Sequence, residues 1–211
     1  MYFLKIFKTR HFKQITLATI LAAGFSAAQP AAAIMSFSDN GDGTAKAQGS
    51  IDIGDGDRFL EFLNAPRVKP IKTLYLYSGG GQLFPAGRMA HMIREHHINT
   101  AVDGTGAFCA SACTMLFAGG VKRYYIHGDQ VFEGSSSRTG LGFHPARLKN
   151  ERGQGSYFQD GTDKMAKLYA EMGMPGAANL MSEGMIGNAI FYVGGENALK
   201  LHIATSLGSP E

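Results

Sequence analysis

Twice within about 50 residues, a short β-prone run ends in a glycine cluster and passes into an apolar stretch with helical spacing. The first copy is Thr73-Leu74-Tyr75-Leu76-Tyr77, then Ser78-Gly79-Gly80-Gly81, then Arg88 to Glu95. The second is Thr100-Ala101-Val102, then Gly104-Thr105-Gly106, then Thr114 to Ala118, closed by Gly119-Gly120. A third strand is expected at Lys122 to Ile126. Strands alternating with helices predict an α/β fold with a mainly parallel sheet. Ligands of such sheets gather beyond the carboxyl ends of the strands, where both glycine turns fall.

The flanks are less patterned. Asn40-Gly41-Asp42-Gly43 and Gly54-Asp55-Gly56-Asp57 invite a calcium reading, but the EF-hand spacing fails and no Glu stands at the twelfth position. Turns explain them better, with Asp57 as N-cap of a short helix over 58–63 that Pro66 and Pro70 end. From Gly128 to Gly161 the chain is rich in Gly, Ser and Arg and reads as mobile around Ser135-Ser136-Ser137 and Gly153-Gln154-Gly155. Asp163 to Met172 is helical, with Met165, Leu168, Tyr169 and Met172 on one face. Ala189 to Val193, a Gly-Gly turn and a short helix over 196–201 end the chain.

Residues 1–33 carry the marks of a secretory signal. Lys5, Lys8, Arg10 and Lys13 precede the uncharged run Ile15 to Ala28, and Ala31-Ala32-Ala33 offers a cleavage site before Ile34. A cut near Ala28 is the alternative, and an uncleaved anchor helix is another. The run is short for the ~20 apolar residues of a membrane span. Cleavage at Ile34 leaves 34–211 as one domain. It removes four of the 20 Lys and Arg and none of the 17 Asp and Glu, leaving 16 against 17, a formal −1. No basic patch remains to argue for nucleic acid. Export points to the bacterial periplasm, and the same signal serves secretion beyond it.

An exported chain meets an oxidising compartment. Cys109 and Cys113 are its two cysteines. On a regular helix their Cβ atoms would lie about 5–6 Å apart, against the ~3.8 Å a disulfide prefers. A bridge therefore requires Cys109 to precede the helix. Two buried thiols are the other reading. No matching His or Cys pair follows that would complete a metal site.

Nucleophilic hydrolysis needs a hydroxyl, a base and N–H donors for the developing oxyanion. Ser111, flanked by small residues at an expected helix start, offers the hydroxyl, and the N–H of Ala112 is a natural oxyanion donor. The Gly79-Gly80-Gly81 turn can expose a second, since glycine lets backbone approach a substrate closely. His144, held in the short run Gly142-Phe143-His144-Pro145, is the candidate base. His91, His96, His97, His127 and His202 compete with it. His96 and His97 sit at a helix end, where a cation favours the dipole.

The order of these pieces resembles the Clp protease proteolytic subunit and its crotonase-fold relatives, and most of all their exported Clp-protease-like members. The pieces are Leu76-Tyr77-Ser78-Gly79-Gly80-Gly81, Cys109-Ala110-Ser111-Ala112-Cys113, Ala118-Gly119-Gly120 and Gly142-Phe143-His144-Pro145. The resemblance covers about residues 49–205. It implies a Clp/crotonase superhelix of stacked ββα units, with Ser111 as nucleophile and His144 as base. Gly80 and Ala112 would donate the oxyanion-hole hydrogen bonds, and no cofactor or metal would be required. It also implies a peptide or protein substrate bordered by the loop over 135–161. Homo-oligomers are implied as well, since relatives form trimers, hexamers or stacked rings. Two departures stand out. Gly79 replaces the Pro of the family's glycine turn, which should loosen it. The family's Asp is missing from 184–190, where Asn188 falls nearest and would orient the imidazole as a neutral partner. Glu183 and Asp163 are distant alternatives.

The leading expectation is an exported serine peptidase. A fold-retaining binding or assembly module is the second, because crotonase-type folds host many functions. Acyl-CoA chemistry conflicts with export, and a cysteine enzyme conflicts with an oxidising compartment. Export equally disfavours a cytosolic ATPase partner.

Overall fold

Alternation in one strand separates the two faces of the main sheet. In β3 (Thr73–Tyr77), Leu74 and Leu76 are buried while Tyr75 and Tyr77 are half-buried on the opposite side. The computed structural model describes residues 34–149, 155–184 and 189–211. The chain divides into Met1–Ala31 and Ala32–Glu211, and every described residue falls in the second unit. The expected signal segment over 1–33 lies outside the described residues.

The fold is mixed α/β. Its main sheet has the order β1-β2-β3-β4-β6, with β1 over Ser36–Asp39, β2 over Thr44–Gln48, β4 over Asn99–Asp103 and β6 over Arg123–Ile126. Only the β1–β2 hairpin is antiparallel; the other three pairings are parallel. That hairpin closes through Gly41 (φ +79°) and Gly43 (φ +97°). Asp42 accepts from the Thr44 N–H and hydroxyl, and the hydroxyl bond is the main force holding its carboxyl below the usual range.

One face of the sheet is closed by α2 (Leu83–Glu95) and α3 (Cys113–Gly119). Met89 and Ile93 of α2 and Leu116 and Phe117 of α3 join Leu74, Leu76 and Val102 in one apolar core. α1 (Asp55–Asn64) adds Phe59. This helix starts two residues before the expected Asp57 cap. Asp55 is buried in its first turn against Arg58, and Asp57 instead pairs with Arg88 of α2 at 2.9 Å.

A second sheet has the order β10-β7-β5, from Phe191–Val193, Gly140–Phe143 and Phe108–Ala110. β5 runs parallel to β7, and β10 antiparallel. The two sheets meet where Ser78, one residue past β3, bridges Cys109. β8 (Arg147–Lys149) and β9 (Gly155–Tyr157) form a separate hairpin. The Gly-, Ser- and Arg-rich stretch over 128–161 thus holds three strands, β9 beginning at Gly155. α4 (Gln159–Glu171), α5 (Ala177–Glu183) and α6 (Gly195–Lys200) complete the fold. Among the described residues no helix is long and apolar enough to cross a membrane.

Two arginines tie the helix ends together. Arg123, 6% exposed, donates to the carbonyls of Gly120, Met172, Gly173, His202 and Ile203 at 2.8–3.4 Å. Arg94 donates to those of Ala118, Gly119, Gly120 and Met172. These carbonyls follow the last turns of α3, α4 and α6, where a cation offsets the helix dipole. Burial, then the neighbouring Arg94, pulls Arg123 down to about 10, still charged at neutral pH.

Candidate active site

Ser111 occupies the two-residue elbow between β5 and α3. Its φ is +57°, left-handed for a residue with a side chain. Such a conformation costs on the order of 1–3 kcal/mol and persists where surrounding structure enforces it. Among the described residues three others share it without being glycine: His97, His127 and His202. His97 and His202 follow helix ends and His127 precedes a three-residue 3-10 helix, whereas Ser111 leads into an α-helix. The Ser111 carbonyl accepts both the N–H (2.9 Å) and the hydroxyl (2.6 Å) of Thr114.

A disulfide spans the elbow. Cys109 lies in β5, before the helix, and Cys113 opens α3. Their sulfurs are bonded, with Cα atoms 5.2 Å apart. Neither sulfur is a free thiol, which removes the cysteine-enzyme reading.

The glycine turn lies directly against this elbow. Ser78 N–H donates to Phe108 O (2.9 Å), and Ala110 N–H donates to Ser78 O (3.0 Å). A Cβ at Gly80 (φ +92°) would lie 2.7 Å from Ala110 O, 2.8 Å from Ala112 N and 2.8 Å from Ser111 Cβ, so only glycine fits. The Ala112 N–H has no hydrogen-bond acceptor among the described residues. The Gly80 N–H donates to the hydroxyl of buried Ser78 at 3.1 Å, so it is already engaged. Ile51 bridges Gly81 through Gly80 O and Gln82 N. The Gly81 N–H therefore points away from Ile51, and it has no acceptor among the described residues. Sequence reasoning singled out Gly80 alone. The hydroxyl two residues before it was the one hint that its N–H has a local partner.

His144 follows β7 as Ser111 follows β5. Ala110 is in register with Gly142, and Ser111 N–H donates to Gly142 O at 2.9 Å. Parallel pairing thus places Ser111 and His144 just beyond the ends of adjacent strands. His144 is half-buried, and its Nδ1 lies 2.7 Å from Pro145 O. A carbonyl only accepts, so Nδ1 donates this bond. Gly184 packs on this residue: a Cβ there would lie 2.7 Å from His144 Cα. Asn188, the expected third member, lies outside the described residues.

The competing groups are elsewhere. His91, His96, His97, His127 and His202 are all exposed. His127 Nδ1 pairs with Asp103 at 3.0 Å. Burial raises Asp103, but hydrogen bonds from His127 and Thr105 outweigh it and hold its carboxyl below the usual range. Asp163 accepts from Gln159 on its own helix, and Glu183 is exposed.

Two clefts lie by the neighbouring elements, and Ser111, Ala112 and His144 line neither. One of about 520 Å³ is lined by Ile34, Ile51, Gly81, Gln82, Arg147 and Leu148. The other, of about 460 Å³, is lined by Phe108, Ser135, Ser137, Arg138, Ile190 and Tyr192. The expected border loop contributes to both.

No protein-family model and no curated protein matches the chain. Solved structures do. An alanine mutant of the 1510-N membrane-bound stomatin-specific protease matches with a TM-score of 0.50 at 16% identity, over 76% of each chain. A second alanine mutant of that protease, in complex with a substrate peptide, matches with a TM-score of 0.48 at 15% identity, over 75% of this chain and 72% of that one. At such identity the first likeness speaks for the fold, which is Clp-protease-like.

Proposed function

We propose that this chain is an exported serine hydrolase, a peptidase acting from Ser111. The observation that carries the reading is the left-handed Ser111 elbow packed on Gly80, with the Ala112 N–H uncommitted beside it. In this reading His144 Nε2 takes the Ser111 hydroxyl proton as the oxygen attacks a scissile carbonyl. The C–O bond forms as the carbonyl π pair moves onto oxygen. The Ala112 N–H receives that oxyanion, with the Gly80–Gly81 turn supplying a second donor. The Gly81 N–H is free to serve at once, whereas the Gly80 N–H serves only after leaving Ser78. The imidazolium then protonates the leaving amine as the C–N bond breaks. Water, deprotonated by the same nitrogen, releases the acid and regenerates Ser111. The sequence requires neither metal nor organic cofactor.

The strand-end location of all three groups also supports this reading, since chemistry in parallel sheets collects there. The two clefts beside the turn suit an extended peptide. Cleavage before Ile34, a periplasmic location and self-association belong to the same proposal.

One observation favours a binding module instead: the stretch 184–190 holds no Asp, where the resembled family carries its acid. Incubation with a diverse peptide pool, read by mass spectrometry, separates the two. New termini from the wild-type protein and none from Ser111→Ala establish a peptidase. An unchanged pool with a folded wild-type protein favours the binding module.

A further inference from the structure

Thr114 and Tyr169 enter the sequence reading only as helix residues, yet both connect to the Ser111 main chain. The phenol oxygen of Tyr169, fully buried on α4, lies 2.6 Å from Thr114 Oγ1. Thr114 Oγ1 lies 2.6 Å from Ser111 O. A carbonyl has no proton to give, so the Thr114 hydroxyl donates to it. That hydroxyl has a single hydrogen, so Tyr169 must donate to Thr114. The direction of the whole chain is thereby set, from Tyr169 through Thr114 to the Ser111 carbonyl. Burial pushes the Tyr169 phenol upward, with the Thr114 bond opposing it weakly, so Tyr169 remains a protonated donor.

The consequence lies in one peptide plane. Ser111 C=O and Ala112 N–H belong to the same trans peptide and point in opposite directions. Whatever holds that oxygen also aims that N–H. Ser111 O is held by two donors from Thr114, and the Ala112 N–H emerges on the other side, against Gly80. Fully buried hydroxyls have no solvent partner to turn to, so the clamp is stiff.

We propose that Thr114 and Tyr169 are positioning residues. Their buried relay of two hydroxyls grips the Ser111 carbonyl, keeps the elbow left-handed and aims the Ala112 N–H at the oxyanion. The proposal rests on the hydrolase reading above.

The test follows labelling of Ser111 by a fluorophosphonate probe in the wild-type protein and in Thr114→Val, Thr114→Ser and Tyr169→Phe, with unfolding midpoints beside it. A misaimed donor slows bond formation rather than probe binding, and losing an oxyanion donor outright costs about 10²–10³ in rate. Thr114→Val is expected to lower the saturating rate about 10-fold or more, and Tyr169→Phe several-fold, with half-saturation unchanged within about twofold. Thr114→Ser, which keeps the hydroxyl, is expected to stay within about threefold of wild type. Wild-type rates in Thr114→Val and Tyr169→Phe would overturn the proposal and leave the hydrolase reading standing. So would equal losses in Thr114→Ser and Thr114→Val, which would mark a packing role. If the wild-type protein itself takes no label, the hydrolase reading fails. Amide exchange over 109–117 then decides the relay: about 10-fold faster exchange in Thr114→Val and Tyr169→Phe, but not in Thr114→Ser, upholds it, and unchanged exchange overturns it.

Discussion

Gly80 and Ser111 meet through their backbones: a Cβ on Gly80 would stand 2.8 Å from that of Ser111 and 2.8 Å from Ala112 N. The glycine turn and the elbow can close on each other only because one partner has no side chain. At Gly79 the added Cβ would meet just the Phe108 ring at 3.6 Å, an ordinary contact. Gly80→Ala is therefore expected to slow labelling of Ser111 at least about 100-fold and to destabilise by roughly 1–3 kcal/mol. Gly79→Ala should remain within about threefold. Probe kinetics and denaturant midpoints on the two variants check both statements.

The Cys109–Cys113 bridge ties the end of β5 to the start of α3 across the same elbow. By chain entropy, so short a loop contributes only about 2 kcal/mol. It also constrains the elbow that carries Ser111. The Cys109→Ala, Cys113→Ala double variant is expected to lose about 2 kcal/mol by urea unfolding and about 10-fold in labelling rate. Mild reduction of the wild-type protein should reproduce the labelling loss reversibly.

Among the described residues the Arg123 guanidinium donates only to main-chain carbonyls, from three chain segments. Removing it takes this donor from the carbonyls of Gly173, His202 and Ile203, while Arg94 still reaches those of Gly120 and Met172. Arg123→Ala is expected to cost about 3 kcal/mol or more, measured by chemical denaturation. Arg123→Lys should recover less than half of that, since an ammonium cannot span the fork.

The Asp103–His127 pair sets a small acid limb in stability. Asp103 is held below its ordinary value, so its contribution is present above the ordinary carboxylate range and is lost as pH falls through the folded value. Both side chains are more than a third exposed, which keeps the contribution well under about 1 kcal/mol. Asp103→Asn should flatten the stability profile below about pH 4 and lower stability near pH 7 by that same small amount. Denaturant midpoints across that range test this.

The parts legible in the sequence are those where local pattern and tertiary pairing agree. Thr73 to Tyr77 alternates as β3 does, and the residues from Arg88 to Glu95 keep helical spacing through α2. The junction at Ser111 was readable as small residues before an apolar helix. β5 was not, because three residues carry no period; it is a strand through its neighbours Ser78 and β7. The cysteine spacing left the bridge open for the same reason, since the answer depends on a helix that starts at Cys113. The hairpin of β8 and β9 is hidden in a polar, Gly-rich stretch that pairs only with itself. Thr114 and Tyr169 are 55 residues apart, and nothing local joins a helical Thr to an apolar-face Tyr. The glycine turn as a whole is legible as a donor, but which of Gly79, Gly80 and Gly81 has an uncommitted N–H depends on tertiary partners such as Ile51 and the Ser78 hydroxyl.

Labelling of the purified protein with a fluorophosphonate, followed by peptide mapping, tests the central claim most directly. Ser111→Ala and His144→Ala run beside it, with circular dichroism to show that each is folded. The account predicts label on Ser111 in the wild-type protein and a loss of at least about 100-fold in His144→Ala. A folded wild-type protein without label, or label on Ser111 that is indifferent to His144, would contradict it.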